Sequence, residues 1–112
     1  MPRKSSARRS PGKAKGTRLV RVTRSPRREK KWRAVFRRSN GKEYSVDFGA
    51  AGMQDYTQHK DPQRRKNYVS RHTRDLRTGD PTRAGYLSME VLWGSSTSLK
   101  KNLAAYKRKH GL

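Results

Sequence analysis

Alternation of apolar and polar positions organises the first half of the chain. Trp32, Ala34 and Phe36 alternate with Arg33, Val35 and Arg37, a period of two that predicts a half-buried strand. Asn40-Gly41 follows, the strongest short hairpin signal. Beyond it Tyr44, Val46 and Phe48 alternate with Glu43, Ser45 and Asp47. Residues 31–39 and 42–49 therefore predict an antiparallel hairpin. The β-branched run Leu19-Val20-Arg21-Val22-Thr23, closed by the breaker Ser25-Pro26, predicts a third strand over 18–24. One face of this meander carries Trp32, Ala34, Phe36, Tyr44, Val46 and Phe48 and needs a cover. The other carries Lys31, Arg33, Arg37, Glu43, Ser45 and Asp47 and suits water or a partner.

After Gly49-Ala50-Ala51-Gly52, where a turn with positive φ is expected to use both glycines, the period changes. Asp61-Pro62 predicts a helix start, with Asp61 as N-cap. Tyr68, His72 and Leu76, with Val69 beside them, form an apolar stripe on a helix otherwise rich in arginine, and Thr78-Gly79 ends it. Asp80-Pro81 repeats the start signal for a second helix holding Leu87, Met89, Val91, Leu92 and Trp93. Ser95, Ser96 or Thr97 is expected to cap a third, whose stripe is Leu99, Leu103 and Tyr106 and whose C-terminal cap is Gly111. The fold class is α+β: a three-stranded antiparallel meander, then three short helices, over residues 18–112.

Residues 1–17 read differently. Arg3, Lys4, Arg8, Arg9, Lys13 and Lys15 alternate with Ser, Ala, Pro and Gly, with no acid and no large apolar residue after Met1. Such a segment buries too little surface to offset its ordering entropy, so a basic arm that is disordered until a partner holds it is expected. Its bland alternative is a solvated tail or a nuclear-targeting signal.

Charge then changes the picture. Among 112 residues, 30 Lys+Arg stand against 8 Asp+Glu, a formal charge of +22, while hydrophobic residues are 29%. So much unbalanced charge opposes compaction and attracts polyanions through counterion release. The candidate partners are nucleic acid, acidic protein surfaces or an acidic membrane face. The chain has no cysteine, which excludes disulfides and Cys-ligated zinc. No window predicts a membrane span, and no apolar segment follows the basic N-terminus as in a secretory signal.

Catalytic patterns are absent. The acids lie among arginines and lysines or at predicted helix caps, and no G-x-S-x-G is present. His59, His72 and His110 match no metal spacing. Gly41-Lys42 lacks the rest of a P-loop, and Gly49-Ala50-Ala51-Gly52 follows a strand rather than joining two helices as the KH-domain loop does. No enzyme activity, cofactor or metal is expected. The aromatics Trp32, Phe36, Tyr44 and Phe48 could serve a stacking platform, but so small an apolar complement favours the core. Partner binding is assigned to the arm cations together with Arg33, Arg37, Arg64, Arg65 and Arg71, because arginine forks match carboxylate and phosphate alike.

One stretch is distinctive. It runs Phe48-Gly49-Ala50-Ala51-Gly52-Met53-Gln54-Asp55-Tyr56-Thr57-Gln58-His59-Lys60-Asp61, then Arg64-Arg65, then Tyr68-Val69-Ser70-Arg71-His72. Later come Asp80-Pro81-Thr82, Ala84-Gly85-Tyr86-Leu87-Ser88 and Leu92-Trp93. Order and spacing resemble a family of small basic virion-associated proteins of large nucleocytoplasmic DNA viruses of algae and amoebae, from about Lys42 to Leu99. Gly94-Ser95-Ser96-Thr97 departs from the proline-containing linker of that family, and the arm has no counterpart in it. The resemblance implies a minor capsid or internal capsid-associated protein, located in the virion or alternatively the nucleus, with other capsid proteins as partners. Genome packaging is the rival role, and a ribosomal protein a more distant one. Within the motif, Gly49, Gly52, Asp55, Thr57, His59 and Asp61 are expected to form a structural loop, the two aspartates capping backbone amides.

Overall fold

The computed structural model describes residues 16–112. The expected arm cations Arg3, Lys4, Arg8, Arg9, Lys13 and Lys15 lie outside the described residues. Strands β1 (Arg18–Arg24), β2 (Lys30–Arg37) and β3 (Glu43–Ala50) form an antiparallel sheet in the order β1-β2-β3. Helical segments follow: α1 (Tyr56–His59), α2 (Pro62–His72), a 3-10 segment (Thr73–Thr78), α3 (Ala84–Leu87), a π turn (Ser88–Leu92) and α4 (Leu99–His110). This is the α+β meander-then-helices order expected from the sequence. Thr17, assigned to the arm, is already buried, so the packed part begins slightly before Arg18.

Asn40-Gly41 turns the β2–β3 hairpin within a three-residue loop. The Gly41 N–H reaches the Arg38 carbonyl (2.9 Å), and Arg38 N–H reaches the Lys42 carbonyl (2.8 Å). Strand β1 breaks strict alternation. Leu19 faces Phe36 and Arg21 faces Val35, so Val20 is an extra, bulged residue. The bulge brings Leu19 and Val22 to one face although they are three positions apart, and turns Arg18 and Arg21 to the other.

The expected inner sheet face is covered. Ala34, Phe36 and Phe48 are fully buried, and Trp32, Tyr44 and Val46 pack partly buried against the same cluster. Leu87, Val91, Leu92 and Tyr106 from the helical segments, with Trp93 and Leu112 just beyond two of their ends, complete it with Leu19. The backbone of β3 passes very close to this cover. Gly49 has φ 84, and a Cβ there would lie 2.8 Å from Leu92 Cδ1, so geometry and space both require glycine. Gly52 departs from expectation: it has no positive φ and nothing within 4 Å of a Cβ, because the turn's left-handed demand is met at Gly49 alone.

The helix starts divide in two. Asp61 caps α2 as expected, accepting from the Gln63 and Arg64 amides with Pro62 in the first turn. Asp80 does not start a helix. Its carboxylate accepts from Thr82 N–H (3.0 Å) and Oγ1 (2.7 Å), closing a local turn, while the Pro81 carbonyl accepts the Tyr106 hydroxyl instead of a helical amide. Helix α3 therefore begins only at Ala84. The third helix is capped by Ser98, whose Oγ accepts from Lys101 N–H (3.2 Å), not by Ser95, Ser96 or Thr97. Gly111 ends it with φ 65, as predicted.

Asn102 explains the shift of that cap. Its Oδ1 accepts from Ser96 N–H (3.0 Å), and its Nδ2 donates to Val91 O (2.9 Å) and Ser96 O (2.7 Å). This buried amide thus ties the 94–98 loop to the π turn. A Cβ on Gly94 would lie 2.4 Å from Glu90 O and 2.7 Å from Asn102 Cγ, so the loop approaches α4 more closely than any side chain permits.

Candidate functional site

The distinctive loop is a relay of caps. Asp55 is buried and accepts from Thr57 N–H (2.9 Å) and Thr57 Oγ1 (2.5 Å), which starts α1. Gln58 Oε1 accepts in return from Asp55 N–H (3.0 Å), making a capping box. Lys31 Nζ joins both, 2.7 Å from Asp55 Oδ2 and 2.6 Å from Gln58 Oε1. Lys31 was expected on the open sheet face, yet its side chain is only 12% exposed. Lys60 then takes the left-handed conformation (φ 58), and His59 Nδ1 accepts from Asp61 N–H (2.9 Å). Asp61 caps α2, so Asp55, Thr57, His59 and Asp61 all bond within the loop. His59 Nε2 is buried and has no hydrogen-bond partner among the described residues; its ring packs on Trp93, centroids 5.2 Å apart.

An aromatic column fixes α2 to the core. Trp93 stacks on Tyr68 (4.0 Å, interplanar 2°), and Tyr68 on His72 (4.0 Å). Desolvation in this column pushes the Tyr68 phenol pKa upward. Arg65, assigned from sequence to partner binding, belongs to the same anchorage. Its Nε donates to Trp93 O (3.1 Å) and Gly94 O (2.8 Å), and its guanidinium lies 5.6 Å from the Tyr56 ring centroid. It holds α2 and the end of the π turn together.

The other assigned arginines separate by charge balance. Arg33 makes a two-pronged contact with Asp47 (2.8 and 3.0 Å), and this hydrogen-bonded partner holds the Asp47 carboxyl below its ordinary pKa. Arg37 pairs with Glu43 at 2.8 Å. Both were assigned to partners, and both already have a carboxylate. Arg64 and Arg71 do not. They are seven residues apart on α2, about 20° around the helix axis at 100° per residue, and both are exposed. Exposed Lys66, Arg74 and Arg77 extend the same segment, and none of the five makes an ion pair among the described residues.

The acids account for this surplus. Glu29, Glu43, Asp47, Asp55, Asp75 and Glu90 each contact a basic side chain, while Asp61 and Asp80 bond backbone amides. With all 8 acids engaged, no carboxylate is left for the exposed cations of α2 and the 3-10 segment. Glu90 shows how tight this use is: it contacts Lys109 Nζ (2.6 Å) and buried His110 Nε2 (2.7 Å). Among the described residues no three His, Asp or Glu side chains converge as a metal site would. No described helix is long and apolar enough to cross a membrane.

A second cationic region lies at the opposite end of the β1–β2 hairpin from the chain's entry into the sheet. A cleft of about 470 Å³ is lined by the β1–β2 turn, the start of β2 and the start of α1. Trp32 forms part of its wall, with the Arg24 guanidinium 5.5 Å from the ring centroid. Sequence reasoning missed this region because the 24–32 stretch meets the 51–58 stretch only in the folded chain.

Residues 20–72, from β1 to the end of α2, match the model of a family of unknown function, DUF5754. No curated protein and no solved structure matches the chain. The matched segment contains the sheet apart from Arg18 and Leu19, the capping relay and the arginine-bearing helix, which are the parts that build the cationic face.

Proposed function

We propose that this protein is a non-enzymatic structural component of a virion, of minor capsid or internal capsid-associated type, that cements its neighbours by gripping anionic groups. The observation that carries the reading is the exhaustion of internal carboxylates: Arg64, Lys66, Arg71, Arg74 and Arg77 have no ion-pair partner within the described fold. Arginine forks at fixed spacing on a helix whose other side is stacked on Trp93 suit carboxylate or phosphate acceptors. The resemblance of the stretch from about Lys42 to Leu99 to virion-associated proteins supplies the setting, and acidic faces of neighbouring capsid proteins are the partners it favours.

Genome binding is the second reading, favoured by exposed arginines without a carboxylate partner on one helix face, which suit phosphates without any base-reading contact. Particles containing the protein, washed in rising salt, test both. Release together with capsid subunits supports cementing. Release only on nuclease treatment supports genome binding. Retention through high salt with neither treatment effective would overturn a role based on charge.

A further inference from the structure

We infer that the cleft between the β1–β2 turn and α1 is a binding site for one unpaired nucleotide of a single-stranded nucleic acid. The site is separate from the α2 face, and the inference stands without the virion role.

Three observations converge. The first is charge that the fold leaves unused. Arg24, Arg28 and Lys30 line the cleft and pair with no carboxylate among the described residues. The carboxylates nearby are occupied: Glu29 by Arg27 at 2.7 Å, Asp47 by Arg33 at 2.8 Å, and Asp55 by Lys31 at 2.7 Å. An anion entering the cleft meets free cations and no free acid.

The second is the indole. Of the aromatics on the inner sheet face, Phe36 and Phe48 are fully buried, but Trp32 is only partly buried and borders the cleft. The Arg24 guanidinium lies over it, so the ring face is open to a planar, electron-poor group. A bare phosphate has no use for an indole. A base does, because every base presents a π-face for stacking.

The third is size. A cleft of about 470 Å³ is within the range of ligand pockets and well above what a lone phosphate fills. A nucleotide uses both halves: the base lies along Trp32 beside Arg24, and Arg28 and Lys30 meet the phosphate. Duplex DNA shields its base faces inside the stack, so the strand must be unpaired at this position.

The chain's two tryptophans make the test direct. Trp32 lines the cleft, whereas Trp93 is 5% exposed inside the aromatic column. Fluorescence of the full chain is titrated with a short oligothymidylate, duplex DNA, tripolyphosphate and polyglutamate. Saturable quenching by the oligothymidylate, with little from the other three, is expected. In Trp32→Leu, oligothymidylate affinity read by anisotropy of a labelled oligonucleotide falls at least about fivefold, the lower end for loss of one stacked base. Arg28→Ala with Lys30→Ala, neither of which belongs to the hydrophobic cluster or to an ion pair, weakens the titration of otherwise unaltered protein and guards against misfolding of the Trp32 variant. Equal quenching by tripolyphosphate would reduce the site to an anion pocket and overturn the inference. Equal quenching by polyglutamate would assign it to an acidic protein and overturn it as well. Charge reversal at Arg64, Arg71 and Arg74 should leave the quenching intact, so failure of the α2 reading and failure of this one are read separately.

Discussion

Replacing Asn102 with alanine should cost this domain about half of its stability. The amide makes three hydrogen bonds, and one of its acceptors, Val91 O, is in a contact fully removed from water. Each such bond contributes about 0.5–1.5 kcal/mol net, and an orphaned buried acceptor costs about 1–3 kcal/mol. The expected loss is therefore about 2–4 kcal/mol. A domain of this length with so few apolar residues holds on the order of 5 kcal/mol in total. Urea unfolding followed by circular dichroism should show a lower midpoint at an unchanged slope. Asn102→Asp keeps the shape but points a carboxylate at two carbonyl oxygens, so it should be at least as damaging. A loss below about 1 kcal/mol in Asn102→Ala, or an Asp variant milder than the Ala one, would refute the account.

Phe36→Ala, at a fully buried ring stacked 5.4 Å from Tyr44, should cost about 3 kcal/mol or more, and a loss under about 1 in the same assay would show that the site collapses freely. Arg65→Ala should lower stability by about 1.5–3 kcal/mol through its two carbonyl contacts, while Arg64→Ala and Arg71→Ala together should stay within about 0.5 kcal/mol each. The latter pair should instead weaken polyanion binding and reduce its salt slope by roughly 2, which a titration series at rising salt measures. Gly49→Ala should destabilise by more than 1 kcal/mol, because a left-handed backbone and the Leu92 contact act together, and a neutral melting temperature would contradict the geometry. Burial raises the Glu90 pKa, but hydrogen bonds from His110 and Lys109 outweigh it and hold the carboxyl below its ordinary value of 4.5. Its contribution is therefore present above about pH 4.5 and lost as pH falls through the lower folded value. Glu90→Gln should be less stable at neutral pH and lose less on acidification, as pH-dependent melting would reveal.

Much of the fold was legible because local and tertiary preferences agree there. Period-two alternation, Asn40-Gly41, the Asp61-Pro62 start and the glycine ends at Gly79 and Gly111 each act through their own backbone neighbourhood. The misreadings share a different cause. Asp80-Pro81 carries the same local signal as Asp61-Pro62, but a distant hydroxyl, from Tyr106, takes the carbonyl a helix would need. Met89, Val91, Leu92 and Trp93 are all buried, a run too dense for one face of a regular α-helix, and the chain accommodates it by widening into a π turn. Arg65 and Arg64 look alike in sequence, and only the carbonyls of Trp93 and Gly94 distinguish an anchor from a free cation. Asn102, in a helix of lysines, reads as solvated until the 94–98 loop closes over it.

The extra residue in β1 has a consequence for how this protein tolerates length changes. Removing Val20 would leave Leu19 opposite Phe36, Arg21 opposite Val35 and Val22 opposite Ala34, so strict alternation returns with Leu19 and Val22 still on the core face. A single-codon deletion at the bulge is thus absorbed without reversing the strand's faces, whereas the same deletion inside the regular β2–β3 pairing would turn one arm of its alternation to the wrong side.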